Sequence, residues 1–288
     1  MTTNKQHSLF WDSYRQIRKN PVAVVSFAFI CLYILLTLLA SFGLIATDFN
    51  LINNDNAYAP PSLDYWFGTD IFGRNVLSRA IHGTKTALAV GFMATSLAAF
   101  IGVILGSLAG YFGGKVDDLI IWIYTTIDSI PYILLISAFA FALGQGLTNL
   151  YLALGLTSWV KICRLVRGEF IKHKNREYVH AATALGASHS RRIFLHILPN
   201  VFHITIIQFS LGFVQAIKVE VILSYLGLGV EAGTPSWGIM IDDAKLELAR
   251  GVWWNLAAAT LFMFFLVLSV NLFNDALRDA LDPKLKKV

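Results

Sequence analysis

The chain has 288 residues, of which 56% are hydrophobic and only 14% charged, with a formal net charge of +5. A soluble domain of this length needs a larger charged fraction to cover its surface, so the composition points to a membrane protein. The positive balance gathers beside apolar runs, which marks orientation in a membrane and speaks against a nucleic-acid partner.

A helix crossing hydrocarbon needs about 20 mostly apolar residues, each adding ~1.5 Å of rise. The first apolar run, 21–46, follows a basic stretch, 1–20, that carries Lys5, Arg15, Arg18 and Lys19. The run is too long for the ~7–15 apolar residues of a signal peptide, so it is read as an uncleaved first span. Residues 47–86 form the next segment. Within it, "YWFGTDIFGRNVLSRAIHGTKTAL" (65–88) begins loop-like and then places Val76, Leu77, Ala80 and Ile81 at helical spacing. Arg74, Ser78, Arg79 and His82 stand between them, which predicts an amphipathic helix. Tyr65, Trp66 and Phe67 ahead of it place that helix in the membrane interface, as a solvated collar or as a docking surface. Asp70 either caps the helix or pairs with Arg74.

Three further runs, 87–112, 119–143 and 147–163, are separated by short turns and are expected to be antiparallel neighbours. The last is the shortest and ends near Lys161, so the full count is six spans, or five without it. In the second span Gly102, Gly106 and Gly110 recur every four residues, a stripe that lets another backbone approach. Residues 164–200 then form a long basic segment. Its latter part, "YVHAATALGASHSRRIFLHILPN" (178–200), places Tyr178, Ala181, Ala182 and Leu185 on one helical face. Gly186 permits a turn, Ser188 suits a helix cap, and Pro199 suits the first turn of the next span. The expected result is a helix–turn–helix knuckle joined rigidly to the fifth span, 201–223.

That span carries Gln208, Gln215 and Lys218 at steps of seven and three. Charge in hydrocarbon is costly, at least ~2.5–3.5 kcal/mol at a helix centre. The stripe therefore either lines a solute path, or Lys218 snorkels outward or pairs with Glu220 or another subunit. Beyond it, "TPSWG" (234–238) has the residues to bend a loop and pack Trp237, either as an outer gate or solute-receptor contact with Pro235, or as an interfacial anchor. The sixth span, 252–273, precedes a tail, 274–288.

Apart from Arg74, Arg79, Lys85, Lys218, Lys245 and Arg250, every Lys and Arg falls before the first span, after the second, fourth or sixth. Positive charge collects on the cytoplasmic side, so both termini and 164–200 are expected there. Cys31 and Cys163 both lie in apolar runs and imply neither a disulfide nor a metal site. His203, just inside the fifth span, reads as a packing residue. There is no Gly-x-x-x-x-Gly-Lys-Ser/Thr phosphate loop; "HGTKTAL" (82–88) lacks the spacing. His-Glu-x-x-His and Gly-x-Ser-x-Gly are absent too, so the chain is expected not to be an enzyme and not to hydrolyse ATP alone.

The 178–200 segment resembles the cytoplasmic loop motif of ABC-importer permeases: Glu-Ala-Ala, three residues, Gly, nine residues, Ile, any, Leu, Pro. Here His180-Ala181-Ala182, Gly186 and His196-Ile197-Leu198-Pro199 stand in register, with His180 and His196 as departures. "FGTDIFGRNVLSR", "RLVRGEF" (164–170), "LSYLGLGVEAGTPSWG" (223–238) and "NDALRDALDP" (274–283) are similar to landmarks of one branch, the C-type permease subunit of dipeptide and oligopeptide importers. Asn75 replaces that branch's usual Asp, and Thr125 stands where it often has an acid, the nearest here being Asp128. The resemblance implies an all-α polytopic membrane protein with six transmembrane helices, one N-terminal span plus a five-helix type I ABC-importer permease core (87–273) with a coupling-helix loop. It further implies a bacterial inner-membrane location, a homologous second permease, two ATP-binding subunits and an extracytoplasmic solute-binding protein. ATP and Mg would be used by the ATPase subunits, and this chain would bind no cofactor. Tyr178, His180, Ala181, Ala182, Gly186 and Ile197 would meet an ATPase, Arg164 and Arg167 would anchor the loop at the membrane edge, and Leu198–Pro199 would form the joint. The expected cargo is a peptide, with nickel or another small solute as the alternative within the branch and a self-contained secondary transporter as the alternative outside it.

Overall fold

The computed structural model describes residues 15–281; Lys5, Lys284, Lys286, Lys287 and the end of the 274–288 tail lie outside the described residues. The described residues fold as helices and connecting loops, with one isolated bridge, Thr69 to Asn75. Two compact units divide the chain, Met1–Leu88 with Ala232–Val288, and Ala89–Glu231.

The first unit begins with α1 (Pro21–Ser41), which starts where its sequence says it must. Asn20 accepts hydrogen bonds from the Val22 and Ala23 amides at 3.0 and 3.3 Å, and Pro21, lacking an N–H, occupies the first position. α1 packs along the last helix of the chain through Phe27 on Phe273, Phe29 on Phe265 and Tyr33 edge-on to Phe262. The Tyr33 hydroxyl donates to the Phe262 carbonyl at 2.9 Å, which gives a buried phenol its partner.

Residues 76–88, expected as a separate interfacial helix, are the opening turns of one unbroken helix, α2 (Val76–Phe112). Of their apolar positions Val76 and Ala80 are fully buried and Leu77 and Ile81 half-buried, and Ser78 and Arg79 between them are buried as well. A face covered by protein on that side cannot lie against headgroups, so the collar belongs to the unit's interior. Asn75 caps α2: its Oδ1 accepts from the Leu77 and Ser78 amides, and its Nδ2 donates to Asp48 at 2.8 Å.

In the second unit α2 continues to Phe112 and is followed by α3 (Gly114–Asp128), α4 (Tyr132–Leu143) and α5 (Leu147–Lys174). The third expected span, 119–143, is therefore two helices, bent by 90° at residues 129–131. Pro131 cannot donate within a helix, and Thr125, Thr126 and Ser129 each turn their hydroxyls back onto a carbonyl three or four residues earlier, which favours bending. The glycine stripe of α2 meets α5. A Cβ on Gly102, Gly106 or Gly110 would fall within 3 Å of the backbone carbonyls of Trp159, Cys163 and Arg167 in turn. That regular advance shows two helices running backbone against backbone.

After α5 come a short helix, α6 (Glu177–Ala184), and a long one, α7 (His189–Tyr225). The first unit is completed by α8 (Trp237–Leu248) and α9 (Trp254–Leu281). Among the described residues α1, α2, α7 and α9 are each long and apolar enough to cross a membrane, and the bent pair α3–α4 makes a fifth. The remaining expected span, 147–163, is the front of α5, whose apolar part is interrupted at Lys161.

Candidate functional site

The knuckle occupies the end of the second unit where α5, α6 and the start of α7 meet. α6 does not present the face its small residues suggest. Val179 and Ala182 turn inward, 3% and 7% exposed, and Val179 joins a core with Val166, Phe170, Ile193, Ile197 and Val201. Tyr178, Ala181 and Leu185 turn outward at steps of three and four, and Leu185 is 89% exposed. Thus Ala182 and Ile197, expected at an ATPase contact, are seating residues, while Tyr178, His180, Ala181 and Gly186 remain on the surface. Val179 fills the seat in the core, while the Tyr178 hydroxyl lies 2.8 Å from His173 Nδ1 at the edge of α5.

Gly186 adopts φ of +79°, and an added Cβ there would meet nothing within 4 Å. Its role is conformational: it reverses the chain after α6 where other residues are strained. Ser188 then caps α7, its Oγ accepting from the Arg191 amide at 3.3 Å. Cross-links hold the knuckle: Arg192 of α7 donates to Thr183 of α6 at 3.0 Å, the Tyr111 hydroxyl of α2 lies 2.9 Å from His189 Nδ1 of α7, and Lys174 of α5 donates to the Tyr111 carbonyl at 3.3 Å.

Pro199 stands in the first turn of the regular α-helical stretch Leu198–Tyr225, as expected, but that stretch does not open a separate helix. α7 runs through it, and the preceding turn, Arg192–Ile197, widens to π geometry. In an α-helix residue 199 would donate to the carbonyl of Leu195 and a proline ring would crowd it, so a widened turn relieves both problems. The joint expected at Leu198–Pro199 is thus a helix with one loosened turn.

Arg164 and Arg167 are engaged within the chain. Arg167 binds Asp117 through Nε and Nη2 at 2.5 and 2.7 Å, and Arg164 binds Asp128 at 2.9 Å while lying 4.8 Å from the Tyr124 ring centroid. Both arginines therefore tie α5 to α3 and are not free anchors. A fork-to-fork guanidinium–carboxylate pair fixes orientation as well as distance.

On α7, Gln215 and Lys218 are exposed and Gln208 half-buried, in register with exposed Leu211, Ile222 and Tyr225. Glu220, which the sequence offered as a partner for Lys218, points the other way, 1% exposed, and accepts from Ser224 at 2.8 Å. No ion pair reaches Lys218 among the described residues.

The residues expected at an outer gate or receptor contact, Asp70, Arg74, Pro235 and Trp237, all lie inside the first unit. Asp70 Oδ2 accepts from Arg74 Nε at 2.7 Å and Oδ1 accepts from the amides of Phe72 and Arg74. Of the two roles offered for Asp70, pairing is the one observed; Asn75 has the cap. Trp237 is fully buried, its indole donating to the Ala80 carbonyl at 3.0 Å, and the Pro235 carbonyl accepts from Thr86 at 2.7 Å. A buried side chain cannot touch an external protein, so these four shape the unit rather than its contact surface. Sequence reasoning missed Asp48 and Glu247, which bind groups distant in the chain, and Asn255, which meets Glu247 across the turn from α8 to α9.

Apolar spans, a tightly packed helix pair and a rigid knuckle of surface helix fit the membrane component of a transport system. Comparison with known proteins makes this specific. Residues 102–287 match the family described as binding-protein-dependent transport system inner membrane component. Residues 8–61 match the N-terminal TM domain of oligopeptide transport permease C. The dipeptide transport system permease protein DppC of Bacillus subtilis is 37% identical over 278 residues, 96% of this chain and 86% of that one. The oligopeptide transport system permease protein OppC of the same organism is 37% identical over 99% of this chain and 93% of its own. A glutathione transport system permease protein, GsiD of Pectobacterium atrosepticum, is 34% identical over 96% of this chain and 91% of its own. The chain belongs to the family of inner-membrane permease components of binding-protein-dependent transport systems.

Proposed function

We propose that this chain is one of two permease subunits of an ATP-driven importer of dipeptides or oligopeptides. The single observation that carries the reading is the knuckle, an outward stripe of Tyr178, Ala181 and Leu185 on a helix fastened to a 37-residue helix that continues into the hydrocarbon. The likeness to peptide permeases over nearly the whole chain supports the cargo. In this reading both termini and the knuckle face the cytoplasm of a bacterial cell. Two soluble ATPase subunits use ATP and Mg; one takes this knuckle and the other that of a homologous permease. Their closure draws the knuckles together, and α7 carries the displacement to the spans. Gln208, Gln215 and Lys218 then line half of the path, Lys218 meeting a peptide carboxylate, while a solute-binding protein delivers cargo from outside.

The break between α3 and α4 is a feature that a self-contained secondary transporter also shows. That alternative gives no role to an exposed Leu185, and the family assignment speaks against it. The test is Gly186→Trp in the complete transporter reconstituted in liposomes. Its added bulk and strained φ would block the knuckle contact, so peptide uptake and peptide-stimulated ATP hydrolysis should separate. Normal coupling in that variant refutes the proposed role of the knuckle.

A further inference from the structure

The first unit buries a carboxyl that nothing above employs. Glu247, in the last turn of α8, is 1% exposed. Its Oε1 accepts from the Ile71 amide at 3.2 Å and its Oε2 from Asn255 Nδ2 at 2.9 Å, so one side chain joins α8 to the 68–75 loop and to α9. No Lys, Arg or His lies within 4.0 Å of it among the described residues. A buried carboxylate without a cation is costly.

The charges around it do not supply one. From the loop and α2 come Asp70, Arg74 and Arg79, and from α8 itself Asp243. Arg74 is bound by Asp70 at 2.7 Å and approaches Asp243 at 3.8 Å, while Arg79 lies 3.8 Å from Asp70 with its Nε making no hydrogen bond and feels Glu247 only from beyond 4.0 Å. α9 offers the uncharged Trp254 and Asn255. Arg250, past the end of α8, lies 5.3 Å over the Tyr58 ring. Three acids thus share two cations. Asn255 Oδ1 is also buried and without a partner, an acceptor with no donor. Burial, with Asp70 and Asp243 acting in the same direction, raises the Glu247 carboxyl above its ordinary value against the lowering effect of its two hydrogen bonds.

We propose that Glu247 is a proton-operated latch on α8. In its acid form it donates to Asn255 Oδ1 after a half-turn of that amide, still accepts from Ile71, and holds the loop, α8 and α9 together as a neutral group. As a carboxylate it keeps the two hydrogen bonds now present but carries an unpaired buried charge, and the three elements part more readily. The sign follows from linkage: with the folded value above the unfolded one, the stabilisation is complete below the unfolded value and is lost as pH rises through the folded value.

The test uses the full chain in lipid nanodiscs, with infrared titration of protonated-carboxyl absorption and hydrogen exchange of residues 237–248 corrected for intrinsic rates. The expected result is an acid band that persists above the usual glutamate range and vanishes in Glu247→Gln. Over the same pH interval, opening of 237–248 should increase several-fold in the native chain and stay at its acid level in Glu247→Gln. Should that variant fail to fold, Glu247→Asp assigns the band by shifting it. Titration in the ordinary range, or unchanged pH dependence of exchange in Glu247→Gln, overturns the latch.

Discussion

Two glycines, one in the α2–α5 seam and one on α5 away from it, should respond to the same substitution with opposite signs. A methyl on Gly106 would stand 2.6 Å from the Cys163 carbonyl oxygen, 3.0 Å from Val166 Cβ and 3.2 Å from the Arg167 nitrogen. Ordinary contact begins near 3.4 Å, and two of those neighbours are backbone, so α5 must retreat by several tenths of an ångström. Overpacking of that kind costs about 1–3 kcal/mol. Alanine's helix propensity returns up to ~1 kcal/mol, so steric cost wins and Gly106→Ala is destabilising by as much as about 2 kcal/mol. On α5 itself a methyl on Gly168 would meet nothing within 4 Å, so Gly168→Ala keeps the propensity gain and loses nothing. Thermal unfolding of both variants in one detergent, followed by the fluorescence of a dye that labels buried cysteine, should place the native midpoint between them. Equal or reversed shifts would show that α2 and α5 are not packed backbone to backbone.

Leu185→Asp alters a side chain that is 89% exposed, so the fold should be unaffected, within about 0.5 kcal/mol, while co-purification with the ATPase subunits is lost. His180→Glu restores the family residue on an exposed position and should leave transport nearly unchanged, because the outward stripe works by shape; a large gain in coupling would show that charge matters. Trp237→Phe deletes the donor to the Ala80 carbonyl in a fully buried site and should cost about 1–3 kcal/mol in the unfolding midpoint with the helix content intact. Pro199→Ala returns a backbone donor to α7 and should let the widened turn tighten, so that cysteines placed at 215 and 218 change their labelling rates together.

Much of this protein could be read from its chain because the signals are local. Asn20–Pro21 starts α1, glycines every fourth residue mark the seam, and Gly186 marks the reversal, all within a turn or two of the structure they determine. The amphipathic pattern of 76–82 states only that two faces differ, and here protein covers the polar one as well, so the pattern does not mark an interfacial helix. Arg79, 1% exposed, sits where a solvated collar would have put it in water. The break in 119–143 was legible in Pro131, but apolar run length overrode it. The four supposed contact residues near 70 and 235 were expected at a surface because loops lie there by default, and only the distant partners Ala80, Thr86 and Asp243 reveal the interior. For α6, side-chain size alone could not choose between the 178–181–185 and the 179–182 faces; the answer lay in Phe170 and Ile193, which complete its seat.

The widened turn at Arg192–Ile197 gives α7 a property that a regular helix lacks. Over 37 residues a helix is roughly 55 Å long and its angular phase is fixed from end to end. One extra residue taken up or released in a single turn changes that phase by about 100° beyond it, with no change in the turns themselves. Gln215 and Lys218 lie on the far side of that turn from the knuckle. Sequence position alone therefore does not fix which way they point: the extra residue held in that one turn sets their direction, as a slipped nut does on a screw thread.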